Sequence, residues 1–202
     1  ALLHHYPKSS ELARAGLVHR IDKDTSGLLV VAKNLEAQFA LSKQLEKKTV
    51  YRVYDLIVYG NIIAGGTIDE PIKRHPVDRV KMAVLPGGKE AVTHYNVKER
   101  FQHFTRIQAR LETGRTHQIR VHFSYLGYGL VGDQVYMPRV RMPAGASQLL
   151  DDTLRGFKRQ ALHAATLGLK HPRTKEEMTF NAPWPEDFAN LVEVLRSENK
   201  AY

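Results

Sequence analysis

The 202-residue chain carries 30 Lys and Arg against 21 Asp and Glu, a net charge of +9, with 43% apolar residues and no cysteine. That length and apolar content suffice for one packed domain and argue against a basic disordered tail, while the lack of cysteine removes disulfides and thiolate metal ligands. No apolar run nears the roughly 20 residues of a spanning helix, so a cytoplasmic protein without a membrane partner is expected, and its positive field favours a polyanion.

Residues 1–17, with Pro7, Ser9 and Ser10, read as an irregular lead-in. Leu28 to Ala32 is an unbroken apolar run that suits a short strand covered on both faces. Thr25-Ser26-Gly27 ahead of it reads as a turn in which Gly27 can take a positive φ. Arg20, Asp22 and Asp24 are spaced two apart and project to one side of an extended chain. They are either a solvated, self-neutralising turn or a charged site at the end of a buried strand. Asn34 is placed to N-cap a helix over 35–47 whose apolar side is Leu35, Phe39, Leu41 and Leu45. Val50 to Tyr59 alternates branched or aromatic residues with polar ones, a strand pattern in which Tyr54 is by default a core ring.

Gly65 to Ile72 predicts a turn and a short strand. Beyond it Lys73, Arg74, Arg79 and Lys81 predict a basic hairpin turning at Pro86-Gly87-Gly88, which either grips a phosphate backbone or is a charge-blunted sheet edge. Phe101 to Leu111 reads as a strand, followed by a helix over 116–126 stopped by Gly127. On that helix Thr116 and Arg120 share one face while Ile119 and Phe123 point to the core, so Arg120 sits on a rigid element. His117 and His122 are five apart, a poor match to a helical metal pair, and no metal site is expected. Asp133 reads as a turn organiser. Arg139, Arg141, Arg155, Lys158 and Arg159, around Pro138, Pro143 and Gly145, predict a basic loop and short helix, a second candidate contact for a phosphate backbone. Met178 to Ala182 reads as a last strand, and a helix from Pro185 presents Phe188, Leu191, Val192 and Leu195 on one face as a lid on the sheet.

Four stretches carry a family likeness. His19-Arg20-Ile21-Asp22, followed by Thr25-Ser26-Gly27, resembles the His-Arg-Leu-Asp-x-x-Thr-Ser-Gly signature of the RluA-type pseudouridine synthases, with Ile21 where Leu is usual. Gly114-Arg115-Thr116-His117-Gln118-Ile119-Arg120 is similar to that family's Gly-Arg-x-His-Gln-Ile-Arg motif. Arg52-Val53-Tyr54 resembles its basic-x-Tyr motif and Leu162-His163-Ala164 its Leu-His-Ala strand, and the similarity runs from residue 1 to about residue 196.

The resemblance implies an α+β fold on a largely antiparallel mixed β-sheet with packed helices. It implies conversion of uridine to pseudouridine in large-subunit (23S) ribosomal RNA, with the helix 69 stem-loop as the expected target. The expected partner is that RNA or a pre-ribosomal particle, and the expected state a monomer. By the same likeness Asp22 is the nucleophile, Tyr54 lies against the target base, Leu162 lines the base pocket, and Arg20 enters the space that the base vacates. Lys23 and Arg115 are secondary candidates for phosphate contacts. Relatives carry an S4-type RNA-binding domain ahead of this region, and a chain that opens with Ala1 is expected to be a fragment without it.

The chemistry breaks the ribose C1'–N1 bond, turns the base and rejoins it through C5. No atoms are added, so neither cofactor nor metal is expected. It needs an ionised carboxylate in a closed pocket. Burial raises a carboxyl pKa and a guanidinium within about 4–6 Å lowers it; Arg120 is the expected cation, its fork holding Asp22 in one orientation. Tyr54 or a water is expected to take the C5 proton. Two rivals stand beside this reading: a non-catalytic RNA-binding module, and a base-excising hydrolase using Asp22 and Asp24 as its carboxylate pair.

Overall fold

In the computed structural model, which describes residues 2–200, the chain is an α+β fold on a mixed, mostly antiparallel sheet. A lead-in of α1 (Leu2–His5) and two short 3-10 turns precedes β1 (Ser26–Gly27) and α2 (Leu35–Glu46). The middle of the chain supplies β2 (Tyr51–Tyr59), β3 (Gly66–Asp69), the separate pair β4 (Ile72–Arg74) and β5 (Met82–Val84), then β6 (Val92–Arg100), β7 (Phe104–Leu111) and α3 (Gln118–Tyr125). It closes with α4 (Gln148–Gly156), β8 (Leu162–Lys170), β9 (Glu177–Asn181) and α5 (Glu186–Lys200). The main sheet runs β1-β8-β2-β7-β6-β3, with β9 also paired to β8. Its one parallel pairing among the described residues is β1 on β8.

Strand β2 is the spine. Ile57 and Tyr59 enter a core with Leu150 and Leu154 of α4 and Phe188, Leu191 and Leu195 of α5. Leu56 and Val58, of opposite parity, enter a second core with Ile119 and Phe123 of α3. Helices therefore cover both faces, and the alternation predicted for a half-exposed strand gives way to burial of every residue from Arg52 to Tyr59. The terminal helix is the lid its spacing predicts, with Phe188, Leu191 and Val192 fully buried.

Several expectations change. Leu28 to Ala32 is not a strand covered on both faces: its one bridge joins Val31 to Leu17, and Leu29 is 36% exposed. Regular pairing falls instead on Ser26–Gly27, because β9 occupies the edge of β8 from Thr166 to Lys170 and leaves His163 and Ala164 for β1. The tight turn sits one step earlier, at Lys23-Asp24, where the Thr25 N–H donates to the Asp22 carbonyl at 3.1 Å and Asp24 adopts φ 68°. Helix α2 is capped by Asn34, whose side chain accepts from the Ala37 N–H at 2.8 Å. Its inward stripe is Ala37, Leu41 and Leu45, four apart; Leu35 and Phe39 lie two positions off that stripe and are 69% and 62% exposed.

The basic hairpin also differs. Its strands are β4 and β5, and residues 75–81 make the connection. Pro86-Gly87-Gly88 instead folds the chain back so that Lys89 exchanges backbone hydrogen bonds with Ile72, and β6 belongs to the main sheet. Strand β7 starts at Phe104 because Phe101 closes a turn on it. Helix α3 starts only at Gln118: His117 holds φ 57°, ψ 21°, so Thr116 does not share a helical face with Arg120.

Candidate active site

The first turn of α3, the interior of β2, the end of β7, the start of β8 and the turn before β1 meet around a small crevice. Asp22, Tyr54 and Leu162 line it together with Arg20, Arg115 and His117. Tyr54 is aimed there by a β-bulge: Val53 pairs with Thr166 but Tyr54 with Ala164, leaving Ala165 unpaired and re-directing the strand. Burial pushes the Tyr54 phenol up, with Arg52 opposing and Asp22 adding to the rise. The ring is thus a neutral wall, poorly suited in the resting state to take a proton.

Arg120, 4% exposed, carries the charge network. Its Nη1 donates to Asp22 Oδ2 at 3.2 Å. Its Nε and Nη2 donate to Asp133 Oδ2 and Oδ1 at 2.7 and 2.9 Å. The fork expected on Asp22 is therefore closed on Asp133, and Asp22 receives a single N–H. Asp133, fully buried, also accepts the N–H groups of Val135 and Tyr136 at 2.9 and 3.0 Å. It is the turn organiser the sequence suggests and, beyond that, the residue that aims Arg120. Burial pushes its carboxyl up, but the Arg120 hydrogen bonds and charge, with the two backbone N–H groups, hold it below the ordinary value. Burial likewise works against the Arg120 cation, and Asp133 outweighs it.

The Asp22 loop is fixed from β8 and the segment before it. Gln160, 4% exposed, donates from Nε2 to the Lys23 carbonyl at 2.7 Å and to Thr25 Oγ1 at 2.9 Å. Ser26 Oγ lies 2.9 Å from His163 Nδ1. Gly27 holds φ 103°, and a Cβ there would stand 2.2 Å from the Ala164 carbonyl oxygen, so only glycine lets β1 lie this close to β8. On the far side His19 Nε2 accepts the Val30 N–H at 3.0 Å. On α3, Gln118 Oε1 accepts from the Arg115 N–H at 2.9 Å and from Thr113 Oγ1 at 2.8 Å, fixing the turn that presents His117.

The remaining predicted residues disperse. Lys23 is exposed in the turn and does not line the crevice; Arg115 does line it, with its Nε held by the Glu90 carbonyl at 2.8 Å. Asp24 belongs to a different hollow, beside Lys158, Arg159 and Asp187, because its left-handed backbone turns it out of the Arg20–Asp22 row. Lys73 and Arg74 are exposed on β4 and bonded to the backbone carbonyls of Pro86 and Arg79, while Arg79 is exposed and Lys81 lies 3.5 Å from Asp78. This hairpin packs on α3 through Ile72, Met82, Val84 and Val121. Arg139 and Arg141 are exposed beside Tyr136 and Met137. Arg159 is structural, pairing with Asp187 at 2.6 Å and donating to the Asp24 carbonyl.

Two measurements check this network. Asp133→Ala leaves a buried guanidinium without its main partner, and urea titration should show a loss of about 3–5 kcal/mol in unfolding free energy. Burial, with Arg52 adding to it, depresses His19 from 6.5 to about 4. Between these values the unfolded chain takes up a proton that the folded one refuses, so stability falls as pH drops from about 6.5 to about 4. His19→Gln should flatten that part of a plot of urea midpoint against pH.

The sequence profile of the RNA pseudouridylate synthase family matches residues 4–125. The chain is 55% identical to ribosomal large subunit pseudouridine synthase D of Vibrio parahaemolyticus over 202 residues, all of this chain and 62% of that protein. It is 53% identical to the protein of the same name from Escherichia coli K12 over 198 residues, 98% of this chain and 61% of that one. The chain thus spans about three fifths of the length of these relatives. Among solved structures, human RNA pseudouridylate synthase domain containing 4 superimposes with a TM-score of 0.71 at 25% identity, covering 89% of this chain and 75% of that one. A profile match over more than half of the chain, on a fold that these structures share and with the matched motifs converging on one crevice, means that the chain belongs to the RNA pseudouridylate synthase family.

Proposed function

We propose that this chain converts uridine to pseudouridine in large-subunit ribosomal RNA, with Asp22 as nucleophile. The single observation that carries the reading is the Asp22 carboxylate, its side chain 12% exposed, tied to Arg120 in a crevice walled by Tyr54 and Leu162. A half-sheltered anion with one guanidinium N–H keeps its other lone pairs for the target nucleotide. Tyr54 offers a flat neutral surface for the uracil, and Leu162 lies beside it on the same face of the sheet. Arg20, exposed at the rim, is placed to fill the gap left by an extruded base, whose unstacking costs a few kcal/mol. With the Tyr54 phenol pushed up by burial, a water is the better C5 proton acceptor. The basic hairpin at 72–84 and the loop bearing Arg139 and Arg141 grip phosphates on either side of α3. The target is the helix 69 stem-loop, met in the cytoplasm by a monomer.

The hydrolase rival needs Asp24 beside Asp22, and Asp24 lines another hollow.

Carbodiimide mapping of pseudouridine in unmodified large-subunit RNA is the test. The chain should introduce pseudouridine, Asp22→Asn should introduce none, and Asp24→Asn should act like the parent. Release of free uracil, or full activity of Asp22→Asn, would reject the proposal. RNA affinity should fall steeply between about 50 and 200 mM salt, by about tenfold or more for several phosphate contacts. A flat salt response would remove the two basic segments from the interface.

A further inference from the structure

We infer that His117 is a further catalytic residue of this site, its Nε2–H donating to a uracil carbonyl oxygen and stabilising the negative charge that gathers there during the reaction. The inference rests on the isomerase reading above. His117 lines the crevice with Asp22 and Tyr54. Its Nδ1 lies 2.9 Å from the Tyr136 hydroxyl, and that hydroxyl accepts the Met82 N–H at 2.9 Å. With the Tyr136 hydroxyl donating to Nδ1, the neutral imidazole carries its own proton on Nε2, the tautomer the inference takes. Among the described residues Nε2 has no protein partner. Burial holds the imidazole below its ordinary pKa and the Tyr136 phenol at about 12, so both groups are in the required form at neutral pH.

The placement is heavily supported. A non-glycine residue at φ 57° persists only where its surroundings hold it, and such residues gather at functional sites. Here the ring packs edge-on against Tyr136 at 5.6 Å between centroids. The Tyr136 N–H is in turn held by Asp133 at 3.0 Å, and the Arg120 guanidinium lies 5.1 Å from the Tyr136 ring centre. The carboxylate that aims Arg120 thus also holds the backbone of the residue against which His117 packs.

The chemistry calls for such a donor. Whether Asp22 adds to the ring, attacks the sugar or assists elimination, electron density moves onto the uracil and settles on its carbonyl oxygens. A neutral N–H already aimed at that charge stabilises it without reorganising, and removing one such donor costs about 10²–10³-fold in kcat.

The test is single-turnover release of tritium from large-subunit RNA transcribed with C5-tritiated uridine, alongside RNA affinity and thermal midpoint for each variant. His117→Leu should lower the rate constant about 10²-fold with affinity and midpoint little changed. His117→Gln, which keeps an N–H of similar reach, should recover about tenfold of that loss. Adding Tyr136→Phe to His117→Leu should cost nothing more, since the two act as one unit. If His117→Leu does not fold, Tyr136→Phe alone carries the test, with an expected loss of about tenfold in rate at unchanged affinity. His117→Leu at parental rate, His117→Gln no better than His117→Leu, Tyr136→Phe at parental rate, or a loss confined to affinity would each overturn the assignment. An inactive parent would overturn the isomerase reading and this inference with it, whereas an active parent with an indifferent His117→Leu overturns this inference alone.

Discussion

A buried guanidinium shared unequally between two carboxylates organises the active region. Arg120 is almost wholly removed from water, and a cation there is tolerable only with a partner that is equally fixed. Asp133 is that partner, taking two N–H groups and leaving one for Asp22. The division assigns different work to the two acids. Asp133 accepts four hydrogen bonds inside the protein, from Arg120 and two backbone amides, and is locked. Asp22 has one fixed bond and an open side.

Everything that places Asp22 follows from where β8 can accept neighbours. Strand β9 covers most of one edge of β8, and the short remainder receives Ser26–Gly27 in parallel. Gln160, just before β8, reaches two groups of the Asp22 loop, and His163 on the strand reaches Ser26. The same strand provides Leu162 as a wall and the bulge opposite Tyr54. One strand thus sets loop, wall and ring, while α3 supplies Arg120 and the turn before it His117.

What the sequence disclosed and what it concealed divide along local and non-local lines. The Asn34 cap and the Phe188–Leu195 stripe were legible because both are written within one or two helical turns. The convergence of Asp22, Arg120, Tyr54 and Leu162 was legible through motifs, not through spacing, since Asp22 and Arg120 lie 98 positions apart. The extent of β1 was hidden because it depends on which strand claims the edge of β8. Asp24 looked like a companion of Asp22 until a left-handed residue broke the alternation. Asp133 announced a turn by its glycine-rich context, but its grip on Arg120 needs the chain to double back along α3. His117 gave no sign of its φ, because a positive φ is uncommon for any non-glycine residue and the surrounding pattern reads as continuous helix from Thr116.

The unequal sharing has an electrical corollary. Arg120 and Asp133 cancel one another, so Asp22 leaves the trio with one surplus negative charge in the empty crevice. Bond formation by Asp22 would consume that surplus and leave a self-balanced pair behind, not a stranded cation in a dry interior. On the proposed reading, with Asp22 as nucleophile, the scaffold is electrostatically at ease once that group is occupied, and the empty crevice is the state that holds the unspent charge.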